Sequence, residues 1–433
     1  MKHRTRIIAL FLACVMVLPL AACSNKTSPA PISTLPPDFV AEPDVEDLWE
    51  ACSGIDSDLE LFTVNGEPVT ARAYLYFLAS SIFRYAQETN GIDDTQVEGT
   101  YTQNYGVDWT TVMEDGTSLV DYLKKDALDA IAMSVRMVSI AEEQGFGMTQ
   151  DQADELNNYL EMMILMTGGE DVFNDQLRMI GLDRDTFYEF NAYYYYYNQL
   201  LEGMFADTTD EEVAAYIKEN DVLYAKHILL MTVDPNTREP LDEETAEEKR
   251  VTAENLLAQL QNSSDLLADF DTLMNEYSED SGLVTNPDGY LFTAGDMVSS
   301  FEEGTRALEY GEISGLVTSE WGYHIILRLD PADNETIRDE TRVSLLEKQL
   351  DTWTEEAEVV FSDEYNALDV PLFYAKYLAY RDAFDEAMKA AEAEAEETAE
   401  PEVPDEGEPA GTENSPEPEA APSPEAGDEP AED

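Results

Sequence analysis

Three histidines, three cysteines and an excess of carboxylates are the groups in this 433-residue chain from which chemistry could be built. The cysteines are Cys14, Cys23 and Cys52, and the first two lie within or at the end of an N-terminal apolar leader. That leaves Cys52 alone in the rest of the chain, so neither an intramolecular disulfide nor a cysteine metal centre can form there. Cys52 sits in a polar stretch and reads as a bystander thiol rather than a nucleophile. His3 belongs to the same leader, leaving His227 and His324, each at an apolar run. Two histidines among scattered carboxylates do not make a zinc or calcium ligand series, so no metal and no cofactor is expected. A lone buried histidine is usually a satisfied core residue; a pair asks what brings them together.

The elements that must position these residues follow from the pattern of apolar positions. Leu59 to Val64 reads as a strand, Asn65-Gly66 as a turn, and Thr70 as the start of a helix through Tyr85. Helical spacing recurs over residues 119–144, 150–166 and 184–205. The last stretch holds five consecutive tyrosines, Tyr193 to Tyr197, which cannot all face one core. Met133, Met137, Met162, Met163, Met166, Met179 and Met204 gather in the same region. They read either as core or as an adaptable apolar surface that repacks around varied partners. Thr209-Asp-Glu-Glu212 is a capping box that opens a helix through Glu219. The pattern then changes to a strand over Val222 to Val233, helices over Glu243 to Gln261 and Leu266 to Tyr277, a short helix near Phe301 to Leu308, and a strand from His324 to Leu329. This order predicts a compact α+β unit of about 110 residues. Residues 335–360 read as one long helix, and Ala367 to Tyr380 adds apolar and aromatic surface.

Charge bounds the function. With 93 acidic and 24 basic residues the formal net charge is −69, which excludes a sequence-independent grip on nucleic acid and sets the body against an anionic lipid surface. From Glu392 onward there are 17 acidic residues and no Lys or Arg, a composition expected to form a disordered acidic tail. At the other end, Lys2, Arg4 and Arg6 precede an apolar run from Ile7 to Leu18 that is short for a membrane span. Leu20-Ala-Ala-Cys23 resembles the lipobox of bacterial lipoproteins, which implies a signal peptide over residues 1–22 and lipid, including palmitate, on Cys23.

From Tyr224-Ala-Lys-His-Ile-Leu-Leu230 the sequence resembles the parvulin family of peptidyl-prolyl isomerases. The likeness continues through Phe270 to Asp280, Gly295-Asp-Met-Val-Ser-Ser-Phe-Glu302, Gly311 to Thr318 and Trp321-Gly-Tyr-His-Ile-Ile326. Its flanks, Phe62 to Thr70 and Thr209 to Asn220, are similar to PrsA/SurA-like exported foldases. The resemblance implies a helical chaperone-like domain, made of N-terminal helices and a C-terminal helix, with a parvulin-like α+β domain inserted. The expected divisions are a signal at 1–22, a flexible linker at 23–55, helical regions at 56–221 and 332–385, the isomerase at 222–331 and the tail at 386–433.

It further implies the site residues. His227 and His324 fall at the family's histidine positions, on strands expected to lie side by side, and suit a hydrogen-bonded pair that serves catalysis or structure. Asp280 stands at the position of a family Cys or Asp facing the amide, and Ser319 at a hydroxyl position. Met297, Phe301 and Phe292 would line the proline pocket. In place of the family's Gly-Asp-Leu-Gly turn this chain has Pro287-Asp-Gly-Tyr-Leu291, so Gly289 replaces an apolar pocket residue, and Trp321 would narrow access. The loop from Asp234 is acidic, which argues against a phosphoserine-proline preference. The implied activity is cis/trans isomerisation of X-Pro bonds in unfolded, newly exported polypeptides at the outer face of a bacterial cell membrane. The alternative is a non-enzymatic holdase that retains the fold only to bind peptides.

Overall fold

The computed structural model describes residues 35–91 and 101–398. The leader, Cys23 and the tail beyond residue 398 lie outside the described residues. Two compact units are distinguished, Met1–Phe384 and Asp385–Asp433.

Within the first unit the chain begins with α1 (Leu48–Ser53), the strands β1 (Glu60–Val64) and β2 (Glu67–Thr70), and α2 (Ala71–Asn90). It continues with α3 (Leu119–Gln144), α4 (Gln150–Thr167), α5 (Glu170–Met179), α6 (Arg184–Phe205) and α7 (Asp210–Glu219). The helix starts are written in the sequence: Thr70, Ser118, Thr149, Asp183 and Thr209 each accept a bond from a backbone amide of the first turn. Thr149 with Gln152 and Thr209 with Glu212 close full capping boxes.

After α7 comes the inserted unit. Its strands β3 (Leu223–Met231), β4 (Tyr290–Phe292), β5 (Val317–Thr318) and β6 (Gly322–Leu329) form an antiparallel sheet in the order β4-β3-β6-β5. Between them run α8 (Glu243–Gln261), α9 (Leu266–Tyr277) and α10 (Ser299–Arg306). One sheet face places Ile228, Leu230, Ile325 and Leu327 against Phe270 and Met274 of α9 and Leu256 and Leu260 of α8. The other face carries Ala225 and Ile326 with Phe292 and Phe301.

The chain then returns through α11 (Glu335–Glu355), β7 (Val359–Phe361), α12 (Asp363–Ala367) and α13 (Val370–Thr398). β7 pairs with β1, Phe62 opposite Phe361, so segments on both sides of the insertion share one sheet. They also share one core, in which Leu346, Leu350, Tyr365, Phe373 and Tyr374 pack with Trp49, Phe62, Tyr74 and Leu123. A smaller cluster of Val213, Tyr216, Val222 and Ile337 holds the outgoing and returning connections together. The architecture is a mostly helical domain with an inserted α+β domain.

Three expectations need correction. The stretch at 23–55 is not a flexible linker to its end: Asp47 caps α1, and Leu48, Trp49 and Cys52 are buried in the helical core. Burial pushes the Cys52 thiol well above the usual range, against the attraction of Lys376. The helix expected over 335–360 stops at Glu355, because the β-branched and aromatic run Val359-Val360-Phe361 completes the β1 sheet instead. The tail expected from residue 386 is helical through Thr398. Its Ala/Glu-rich segment is made of strong helix formers that need no buried face, and Lys389 pairs with Asp385 one turn away at 2.6 Å. Helix α5 was not anticipated, being short and bounded by Gly168-Gly169.

Trp49 is 1% exposed and packs on Phe373 and Tyr377 with ring centroids 5.7 and 5.5 Å apart. Its indole also lies where a Cβ on Gly181 would be, 2.1 Å from the nearest ring atom, and Gly181 has φ +73°. Trp49→Ala is therefore expected to destabilise the helical domain by about 3–5 kcal/mol in urea unfolding. A loss below roughly 1 kcal/mol would mean that α1 is not part of the core.

Candidate active site

Strand register is what brings the two histidines together. Across β3 and β6, His227 pairs with Ile326 and Leu229 with His324, so the histidines are diagonal neighbours on one face. Their Nδ1 atoms are 3.1 Å apart and their rings stack at 5.3 Å, tilted by 25°.

The loop after α9 delivers the carboxylate. Ser278 Oγ accepts from the Leu229 amide at 3.1 Å, the Glu279 amide donates to the Leu229 carbonyl at 2.8 Å, and Glu279 Oε2 accepts from the Met231 amide at 2.7 Å. These bonds lay the segment along the edge of β3 and place Asp280 Oδ2 2.8 Å from His227 Nε2. Asp280 Oδ1 accepts from the Gly282 amide at 3.0 Å, and the Tyr290 hydroxyl donates to Oδ2 at 2.5 Å. At the far end of the pair, Ser319 Oγ lies 2.7 Å from His324 Nε2 and accepts from the Trp321 amide at 3.1 Å. One continuous chain of hydrogen bonds thus runs Tyr290, Asp280, His227, His324, Ser319.

Two placements of the hydrogens satisfy this chain. With both histidines neutral, His227 Nε2–H donates to Asp280, His324 Nδ1–H donates to His227 and the Ser319 hydroxyl donates to His324. With an added proton on His227, the His227–His324–Ser319 bonds reverse, and Ser319 Oγ accepts from His324 while its own hydrogen turns away. Burial drives the His324 imidazole down to about 3, and the nearby His227 adds to this against the pull of Asp280. Burial raises Asp280, but the bonds from His227, Tyr290 and Gly282 outweigh it and hold the carboxyl well below the usual range. Tyr290 is pushed upward by burial and then by its bond to Asp280, so its phenol stays protonated.

Beside the polar chain is an apolar patch. Phe301 meets His227 edge to face at 5.1 Å and His324 at 5.6 Å, and Phe292 lies 5.6 Å from Phe301. Both phenylalanines are 3% exposed, while Met297 is half-buried against the same cluster. The phenylalanines form the base of the patch and Met297 its accessible edge. Gly289 lacks a side chain for a structural reason: with φ +104°, a Cβ there would lie 2.8 Å from the Ala225 carbonyl oxygen of β3. Trp321 lies under the Arg238 guanidinium at 4.8 Å, and its backbone ties Ser319 to β3 through the Thr232 amide at 2.9 Å.

All seven expected residues of this region, His227, Asp280, His324, Ser319, Met297, Phe301 and Phe292, therefore meet at one place. Tyr290 was missed. The alternation Tyr290, Leu291, Phe292 on a strand puts Tyr290 on the same face as Phe292, and that period of two was the available signal.

Residues 213–332 match the model of the PPIC-type PPIase domain. The chain is similar to the foldase protein PrsA of Caldanaerobacter subterraneus, 28% identical over 329 residues, covering 74% of this chain and 81% of that protein. It is also similar to the foldase protein PrsA of Halalkalibacterium halodurans, 38% identical over 139 residues, covering 31% of this chain and 35% of that one. Among solved structures, that of peptidylprolyl isomerase (PrsA) from Bacillus cereus is 23% identical, covering 64% of this chain and 98% of that chain, with a TM-score of 0.26.

The depressed His324 has a consequence for stability. Its folded value lies below the unfolded 6.5, so the unfolded chain binds more protons between about pH 6.5 and 3. Stability is present above that interval and is lost as pH falls through it, by a few kcal/mol in all. Asp280, also lowered, adds a loss of the same sign at still lower pH. Urea unfolding followed across the acid range should show this slope, and His324→Leu should flatten it while lowering stability overall. An unchanged slope would place the titration in another group.

Proposed function

Starting from a chain that carries a PPIC-type peptidyl-prolyl isomerase domain in a PrsA-like foldase, we propose that it is anchored by lipid on Cys23 at the outer face of the cell membrane. There it isomerises X-Pro bonds in newly exported polypeptides and holds these clients while they fold. The observation that carries the catalytic part is the unbroken polar chain from Tyr290 to Ser319 lying against Met297, Phe301 and Phe292.

Rotation about a peptide bond is opposed by about 18–20 kcal/mol because the C–N bond is partly double. For X-Pro the two ends differ by only about 0.5–1 kcal/mol, so a catalyst needs only to favour the twisted state over both planar ones. In this reading the proline ring rests on Met297, Phe292 and Phe301. Asp280, kept ionised by its three donors, presents a fixed negative charge to the twisting amide, and charge fixed beforehand needs no reorganisation when the bond turns. His227 holds that carboxylate, His324 holds His227, and Ser319 terminates the chain. No bond is made or broken.

The holding part rests on the helical domain. Leu165 and Met166, at the end of α4, are 79% and 74% exposed, Met162 is exposed on the same helix, and Tyr194 is exposed on α6. Such flexible or amphipathic side chains suit contact with unfolded segments of varied sequence. Among the described residues no helix is long and apolar enough to cross a membrane. Attachment in this reading is through Cys23.

Exchange of an X-Pro peptide measured with the full chain should be faster than the uncatalysed rate, and Asp280→Ala should lower kcat/KM roughly 100-fold. No acceleration by the wild-type chain would sink the enzymatic reading. Separately, Cys23→Ala should move the protein from the membrane fraction to the medium and abolish labelling with palmitate; retention and labelling in the variant would remove the lipid-anchor reading.

A further inference from the structure

Tyr290 stands out because three independent contacts fix its position. Its hydroxyl donates to Asp280 Oδ2, the oxygen that also meets His227 Nε2. Its ring meets the His227 imidazole edge to face, with centroids 5.6 Å apart at 78°. The hydroxyl rests against the backbone of Gly282, where an added Cβ would lie 2.3 Å from the phenolic oxygen. Gly282 in turn gives its amide to the other oxygen of the same carboxylate. The turn Ser281–Val284 and strand β4 thus make a cradle in which a glycine is required for the tyrosine to reach the aspartate.

We propose that Tyr290 is a positioning residue for the isomerase reaction: its hydroxyl, admitted by Gly282, locks the Asp280 carboxylate and, through it, the His227 ring in one orientation. This rests on the isomerase reading. The physical case is one of freedom removed. Without the phenol each carboxylate oxygen keeps a single donor, His227 on Oδ2 and the Gly282 amide on Oδ1, and the group is held less closely. With the phenol, both lone-pair directions of Oδ2 facing the protein are used, and the Gly282 amide fixes Oδ1. The ring is also a wall beside His227, so the hydroxyl and the edge of the aromatic face act on consecutive groups of the chain. Titratable groups facing Asp280 are His227 from β3, Tyr290 from β4 and, behind His227, His324 from β6. Its chain neighbour Glu279 is paired with Lys249 of α8.

Tyr290→Phe keeps the ring and removes the donor. In the full chain it should lower kcat for X-Pro exchange about tenfold with little change in KM. The Asp280 carboxyl carbon, followed by NMR through the acid range, should titrate at higher pH than in the wild type. Gly282→Ala leaves the tyrosine intact but displaces its hydroxyl, so it should reproduce both effects, and the double variant should be no worse than either single one. Wild-type kcat and an unmoved Asp280 titration in Tyr290→Phe would overturn the proposal. So would an activity loss without the titration shift, which would assign Tyr290 to packing alone. Because the titration is read without turnover, it tests this proposal even on a chain that fails to catalyse exchange, a failure that would strike the isomerase reading instead.

Discussion

The antiparallel pairing of β3 with β6 is the contact on which the candidate site depends. Eight residue pairs run from Tyr224–Leu329 to Met231–Gly322, and this register alone decides that His227 and His324 share a face. A slip of one position would carry one histidine to the opposite side, among Ile228, Leu230 and the helices. The same register forces Gly322 beneath the Leu230 carbonyl, where a Cβ would stand 2.1 Å from the oxygen. Covering one face with α8 and α9 leaves the other free to hold a polar chain over a small aromatic base. The sheet is thus divided into a face packed on helices and a face that carries the polar chain.

The two faces are not independent of the rest of the protein. Strand β4 turns Tyr290 and Phe292 toward the site and Leu291 toward the cluster of Val213, Tyr216, Val222 and Ile337 where the insertion joins the helical domain. Tyr216 also donates to Glu340 of α11 at 3.1 Å, and Lys348 of the same helix pairs with Glu219 of α7 at 2.5 Å. The strand that shapes the pocket is therefore also part of the attachment, so a substitution at Leu291 touches both.

Much of this was legible because the residues concerned obey local rules. Helices α8 and α9 have the bounds read from their apolar spacing, and the box at Thr209 and Glu212 forms as expected. That His227, Asp280 and His324 come together was suggested by ordered blocks of resemblance rather than by chemistry, since nothing in their spacing states that they touch. The failures have a common cause. At Trp49 and Cys52 a polar average concealed a six-residue amphipathic helix whose buried side has its partners far along the chain. At Val359 a strand was hidden because its partner, β1, lies at the opposite end of the sequence. At Tyr290 the deviation was visible, but its meaning depended on a hydroxyl reaching across to a different loop. Tertiary partners distant in sequence were what composition and periodicity could not supply.

The pairing of β1 with β7 bears on how the protein reaches this structure. Phe62 and Phe361 are brought together across nearly the whole folded chain, and closing so long a loop in an unfolded polypeptide is slow. Once the inserted unit has folded, its two connections emerge side by side at Val222 and Ile337, and the intervening residues act as a short rigid link. Were the insertion to fold first, the effective loop would be shorter and completion of the helical domain easier. Until the C-terminal segment arrives, the edge of β1 and the core around Trp49, Phe62 and Tyr74 stay open to other chains. The topology thus makes the last closure shorter for a chain whose middle has already folded.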